Sequence, residues 1–368
     1  MSSGLQDVVA GQTAICTVGK AGIGLTYRGY AIEDLAESAT FEEVAYLLLF
    51  GELPQLSELA DFRRRLSHLK QLPEPLAAVL ERIPADAHPM DVLRTGCSML
   101  GCLEPEQSFA DQVHVAERLL AALPSVLLYW WRFHQLGERW TPPSEDLSLA
   151  ESFLMGLHGR APTALAIQAL DASLILYAEH EFNASTFTAR VTASTLSDLH
   201  SAITAAIGTL RGPLHGGANE QAMELLSRFA DPEEAEAGVM TLLASRQKIM
   251  GFGHRVYRTS DPRSDIAYRW ARESAAADEE QRLLAVAERI ETVMRREKRL
   301  FPNLDFYCAV LYRCLNIPTP LYTPLFVLSR VTGWTAHVFE QRSDNRLIRP
   351  AAIYTGPGER AVLRIADR

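Results

Sequence analysis

The sequence predicts an all-α protein. Apolar residues recur at helical spacing in segment after segment, helix start and stop signals punctuate those segments, and the period-2 alternation of half-buried strands is almost absent. The best strand candidate is a short hairpin across 13–18 and 25–28, with the glycine-rich GKAGIG turning between its arms. Thr40 and Glu43 form a capping box ahead of the stripe Val44, Leu47 and Leu48, which Gly51 and Pro54 stop. Leu59, Phe62, Leu66 and Leu69 repeat at the same spacing. The longest uncharged apolar run, around 122–131, is too short for a membrane span and fits a buried helix. Ile167, Leu170, Leu174 and Tyr177 follow Pro162, and Leu199, Ile203, Ile207 and Leu210 lie between Ser197 and Gly212. A last stripe, Leu283, Val286, Ile290 and Val293, runs on towards Pro302.

With 368 residues, 48% hydrophobic and 22% charged, the chain has the balance of an ordinary globular protein, which excludes disordered and collagen-like readings. That length exceeds what one core usually serves, so a large domain with a smaller one is expected. The 45 acidic and 36 basic residues give a net charge of -9, so no nucleic acid partner is expected and an anionic ligand needs a local cluster of Arg and Lys. The first basic residue is Lys20, which leaves no signal-peptide or transit-peptide pattern at the start and makes the cytoplasm the expected compartment. Five cysteines without a CxxC pair argue against a disulfide framework or a zinc site, and they read as small buried apolar residues. The runs DPEEAEAG at 231–238 and RREKR at 295–299 read as solvated helix faces without a function.

No Walker loop, HExxH, GxSxG or strand-borne GxGxxG occurs, and GKAGIG is better read as a turn than as a phosphate loop. Glu179, His180 and Glu181 are neighbours that would point in different directions on a helix, so they do not read as a metal site. Three segments remain, each at a break between helices. His215 lies in GPLHGGANEQAMELL, in a turn before a helix starting near Asn219, where an imidazole stays neutral and can donate an N–H to a carbonyl oxygen. His254 lies in KIMGFGHRVYRTSDPR behind two glycines and ahead of Arg255, Arg258 and Arg263. Asp305 in FPNLDFYCAV opens an apolar helix and can serve as an N-terminal charge or a general base. Together they offer what removal of a proton beside a carbonyl requires.

LHGGANE, GFGHRVYRTSDPR and FPNLDFY, in that order and spacing, resemble the three active-site segments of the citrate synthase family. The resemblance runs from TVGKAGIGLTYRGYAIEDLAE to GWTAHVFEQRSDNRLIRP and YTGP, nearly the whole chain. MDVLRTGCSMLG, SLILYAEHEFNASTFTARV, FPNLDFYCAV and FEQRSDNRLIRP look most like the family's bacterial 2-methylcitrate synthase branch. Leu214 and RVYR at 255–258 look more like ordinary citrate synthases, while RPAA lacks the second arginine common there.

The resemblance implies a mostly helical homodimer with a large domain of residues 1–214 and 311–368, a small domain of 215–310, and the active site in the cleft between them. It implies condensation of propionyl-CoA, and also acetyl-CoA, with oxaloacetate, without a metal or redox cofactor and without a membrane partner. Asp305 would take the proton beside the thioester, His215 would donate to the enolate oxygen, and His254 would polarise the oxaloacetate carbonyl. His180, Arg263, Arg330 and Arg349 match oxaloacetate-binding residues, the last supplied by the partner subunit, and Arg258 matches an arginine near the CoA phosphates. An ordinary citrate synthase using acetyl-CoA is the alternative. A helical scaffold that lost the chemistry is disfavoured by the joint presence of His215, His254, Asp305 and the arginines.

Overall fold

The computed structural model describes residues 8–19, 24–143 and 146–368. Residues 20–23 of the GKAGIG turn lie outside these. Sixteen α-helices account for most of the described residues, so the fold is all-α as the periodicity predicts. The expected hairpin is present. Cys16–Val18 pairs antiparallel with Leu25–Tyr27, Thr17 opposite Thr26, and a third short strand, Tyr30–Ala31, adds to it.

The capping box at Thr40 forms as read. Glu43 Oε2 accepts from Thr40 N at 2.7 Å, Thr40 Oγ1 accepts from Glu43 N at 3.4 Å, and the helix Phe41–Phe50 follows. Phe62 and Leu66 are buried on the helix Leu56–His68, and Leu199, Ile203, Ile207 and Leu210 are all buried on Leu199–Leu210. The 122–131 run belongs to the helix Gln112–Leu136, which is buried continuously from Val115 to Trp130. No helix among the described residues is long and apolar enough to cross a membrane.

The core is organised around Tyr322–Ser343, a helix that no amphipathic stripe announces because every residue from Tyr322 to Val338 is buried. Gln112–Leu136, Ala184–Ser194, Leu199–Leu210, Phe41–Phe50 and Ala164–Tyr177 all pack on it. One of its contacts needs glycine. A Cβ on Gly333 would run into the carbonyl oxygen of Ala178 and the carboxylate of Glu179, so the helix meets that turn at backbone distance.

One expectation holds and one needs correction. The acidic and basic runs lie largely in solvent as read, and there Glu236 on Pro232–Ala244 accepts from Arg289 at 2.8 Å and Arg296 at 2.9 Å on Asp278–Lys298. Solvent screens pairs of this kind, so they add little to the packing of the two helices. All five cysteines are free, but only four are buried, because Cys102 lies on the surface.

Candidate active site

Five chain segments build the site, one of them the helix Tyr322–Ser343 that carries Arg330. The helix Ala164–Tyr177 ends in a turn carrying His180, which leads into Ala184–Ser194, capped by Asn183 through Thr186 N at 3.1 Å. His215 sits in the turn before Ala218–Leu226, one residue from the expected helix start. His254 lies in the loop that enters Pro262–Ser274, whose N-cap is Asp261. Asp305 is the second residue of Leu304–Cys314, behind the N-cap Asn303.

Hydrogen bonds lock the His254 and Asp305 segments together. Gly253 N donates to Phe301 O at 2.8 Å, Asn303 N donates to Gly251 O at 2.9 Å, and Asn303 Nδ2 donates to Gly253 O at 3.1 Å. Gly251 and Gly253 have φ of 86° and 75°, so only residues without a Cβ hold the loop this close to the Asp305 helix without strain. Asp261 closes the frame. Its carboxylate accepts from Leu304 N at 3.2 Å and grips Arg263 through Nε at 3.0 Å and Nη2 at 2.9 Å. Burial alone would raise the Asp261 carboxyl, but Arg263 holds it below its ordinary value. The pair is buried and bidentate, the geometry that fixes a guanidinium most firmly.

Two of the imidazoles each use one nitrogen to accept, which assigns the proton to the other. His254 Nδ1 accepts from Val256 N at 3.1 Å and Tyr257 N at 3.3 Å, leaving Nε2 as the donor. Burial, and then Arg263, push its pKa down to about 4. His215 Nε2 accepts the backbone N–H of Ser185 at 3.2 Å and lies 2.8 Å from the Ser185 hydroxyl, leaving Nδ1 as the donor. Burial, and then Arg330, push His215 down to about 4 as well. The neutral state read from sequence is therefore present, but for another reason. The ring caps an orphan N–H in the first turn of Ala184–Ser194, so the positive helix end facing it belongs to a different helix from the one that follows it in the chain. His180 meets the Tyr257 hydroxyl at 3.2 Å and the His254 ring at 5.1 Å between centroids, and burial followed by Arg263 holds it well below the usual imidazole range.

The carboxylate at the centre is Asp305. Tyr177 donates to Asp305 Oδ1 at 2.7 Å, which favours the ionised form, yet burial outweighs this and lifts the pKa to about 6. Arg330 is buried, donates through Nε to Tyr177 O at 2.6 Å, and stacks 4.6 Å from the Phe326 ring. Its Nη1 finds no partner among the described residues. A guanidinium so placed is prepared for an incoming carboxylate.

Six of the eight residues singled out in the sequence thus meet: His180, His215, His254, Arg263, Arg330 and Asp305. Arg258 and Arg349 do not join them. Arg258 is exposed on the His254 loop, Arg349 is exposed in the segment after Tyr322–Ser343, and neither makes a hydrogen bond or ion pair to the cluster among the described residues. Four participants escaped the sequence reading: Tyr177, Ser185, Tyr257 and Asp261. Only Asp261 had a local signal, since an Asp before Pro marks a helix start. A cavity of about 350 Å³ opens beside the His215 turn, with Arg211, Pro213, Gly217, Arg228, Lys248 and Glu220 among its lining. The E-H-E triplet does not converge, because Glu179 turns to His337 at 3.0 Å and His180 to Tyr257, and no group of three or more His, Cys, Asp or Glu among the described residues could hold a metal ion.

A carboxylate poised near neutrality, two imidazoles fixed as neutral donors and two buried guanidiniums form an acid–base site for an anionic carbonyl compound, able to make an enolate and to activate a second carbonyl. The chain belongs to the citrate synthase family: the family model described as "Citrate synthase, C-terminal domain" matches residues 4–351. It is 57% identical to the 2-methylcitrate synthase of Shewanella oneidensis, over 100% of this chain and 98% of that one. It is 41% identical to citrate synthase 2 of Bacillus subtilis, covering 99% and 98% of the two chains. The citrate synthase of Thermoplasma acidophilum, solved as a ternary complex with carboxymethyl coenzyme A and oxaloacetate, superposes with a TM-score of 0.92 at 34% identity, covering 100% and 99%.

Proposed function

We propose that this protein condenses an acyl-CoA, propionyl-CoA and also acetyl-CoA, with oxaloacetate, releasing CoA and giving 2-methylcitrate or citrate. The observation that carries the reading is the pairing of Asp305, its pKa lifted to about 6, with His215 and His254, each left with one N–H free to donate. Asp305 removes a proton from the carbon beside the thioester while His215 Nδ1–H stabilises the developing enolate oxygen. His254 Nε2–H polarises the oxaloacetate carbonyl, and His180, Arg263 and Arg330 hold its carboxylates. The enolate carbon bonds to that carbonyl carbon, His254 supports the alkoxide until it is protonated, and water then cleaves the C–S bond to release CoA as its thiol.

Several parts of the reading rest on the family resemblance. The chain works as a cytoplasmic homodimer without a cofactor, the domains divide at 215 and 310, and Arg349 completes the oxaloacetate site of the partner. Arg258 serves the CoA phosphates. Arg211, Arg228 and Lys248 around the cavity at the His215 turn support an anionic ligand there. The 57% identity to a 2-methylcitrate synthase favours propionyl-CoA, whereas Leu214 and RVYR at 255–258 favour the ordinary citrate synthase reading. Purified protein incubated with oxaloacetate and each acyl-CoA, with thiol release timed and the product weighed by mass spectrometry, tests both. Absence of turnover with either acyl-CoA overturns the reading.

A further inference from the structure

One stripe of Tyr322–Ser343, at i, i+3, i+4 and i+7, is applied to the segment that carries His180. Arg330 donates to Tyr177 O, Gly333 lies under Ala178 and Glu179, Trp334 Nε1 donates to Ser185 Oγ at 3.1 Å, and His337 Nε2 donates to Glu179 Oε1 at 3.0 Å. Arg190 fixes which way the His337 ring is protonated. A guanidinium can only donate, and Arg190 Nη1 donates to His337 Nδ1 at 3.0 Å, so Nε2 carries the proton towards Glu179. Arg190 also pairs with Glu340 at 2.6 Å, and Glu340 accepts from Ala14 N at 2.7 Å. The result is a line of polar groups, Arg330, Glu179, His337, Arg190 and Glu340, leading from the oxaloacetate cluster to the outer face.

Glu179 and His337 have no exposure at all. Burying a carboxylate is unfavourable, and an apolar residue would seal a helix against a turn with less loss of solvation. The charge therefore has a use, and its surroundings show which. Arg263 has a carboxylate of its own in Asp261, whereas Arg330 makes no ion pair within 4 Å among the described residues. The second Glu179 oxygen and Arg330 Nη1 are both buried without a partner among the described residues. Glu179 thus balances the Arg330 charge at a distance without occupying the group that faces the substrate.

We propose that Glu179 is a positioning residue of the oxaloacetate site, a buried counter-charge that pins the His180 turn to the helix bearing Arg330 and keeps the guanidinium free for a substrate carboxylate. This rests on the reaction proposed above, and wild-type turnover with oxaloacetate checks that reaction separately. Glu179→Gln keeps an acceptor for His337 and removes the charge. It should raise the KM for oxaloacetate at least tenfold, leave the KM for propionyl-CoA within twofold, and lower kcat less than threefold. Both KM values rising together with a fall in kcat marks a merely structural role and overturns the proposal. Should this variant fail to fold, Glu340→Gln at the half-buried outer end of the line should show the same selective rise at about threefold. With active wild-type enzyme, an oxaloacetate KM that is unchanged or lowered in whichever variant folds overturns the proposal.

Discussion

Replacing Asp305 by Asn should separate catalysis from stability in opposite directions. Loss of the general base should lower kcat by roughly 100-fold or more while oxaloacetate still binds. The same carboxyl is raised from its ordinary 3.8 to about 6, chiefly by burial. Between those values the unfolded chain is ionised while the native carboxyl keeps its proton, so native stability falls as pH rises. That rise in pKa corresponds to about 3 kcal/mol in total, of which about half is lost between pH 5 and pH 8. Asn does not titrate. The difference in unfolding free energy, variant minus wild type, should therefore increase by about 1.5 kcal/mol from pH 5 to pH 8, measured by denaturant melts of ligand-free protein at fixed concentration. Constant offsets, such as the altered hydrogen bond to Tyr177, cancel in this comparison. A difference that is flat or shrinks with pH would refute the burial argument, whatever happens to kcat.

Other perturbations probe the neighbouring residues. The acid limb of kcat/KM should turn near pH 6 in the wild type, and Tyr177→Phe, which removes the donor favouring the carboxylate, should move that limb to higher pH. Asp261→Asn leaves the buried Arg263 uncompensated and should cost about 3 to 5 kcal/mol in stability, read by denaturation, with a raised oxaloacetate KM in whatever folds. Mixing Arg349→Ala with Asp305→Asn protein should restore part of the activity once dimers reassort, and confirmed mixed dimers without activity would contradict a shared site. kcat/KM should be higher for propionyl-CoA than for acetyl-CoA, within the 1 to 3 kcal/mol or so that one methylene allows, and a clear preference for acetyl-CoA in paired initial rates would reverse the assignment.

What the sequence disclosed was local. Thr40 and Glu43 are three residues apart, and the breaks carrying His215, His254 and Asp305 are marked by glycine or proline on the spot. What it withheld depends on distant contacts. Tyr177 read as one more apolar position on a helical stripe, because its hydroxyl finds Asp305 only when residues 128 apart are brought together. Glu179 looked like a failed metal ligand, since its partner His337 is 158 residues away. The Tyr322–Ser343 helix left no stripe to read because it has no wet side from Tyr322 to Val338, and periodicity detects only helices that face two environments.

That absence of a wet side also bears on how the chain is made. The helices that surround Tyr322–Ser343, from Phe41–Phe50 onwards, leave the ribosome well before it, and at about 5 to 20 residues per second they wait many seconds for the segment that fills the space between them. Until then they can pack on one another, but the part of their inner faces that Tyr322–Ser343 covers stays open. Synthesis therefore passes through an interval in which apolar surface stays open to aggregation, and a message truncated before residue 322 should yield insoluble protein rather than a smaller folded one.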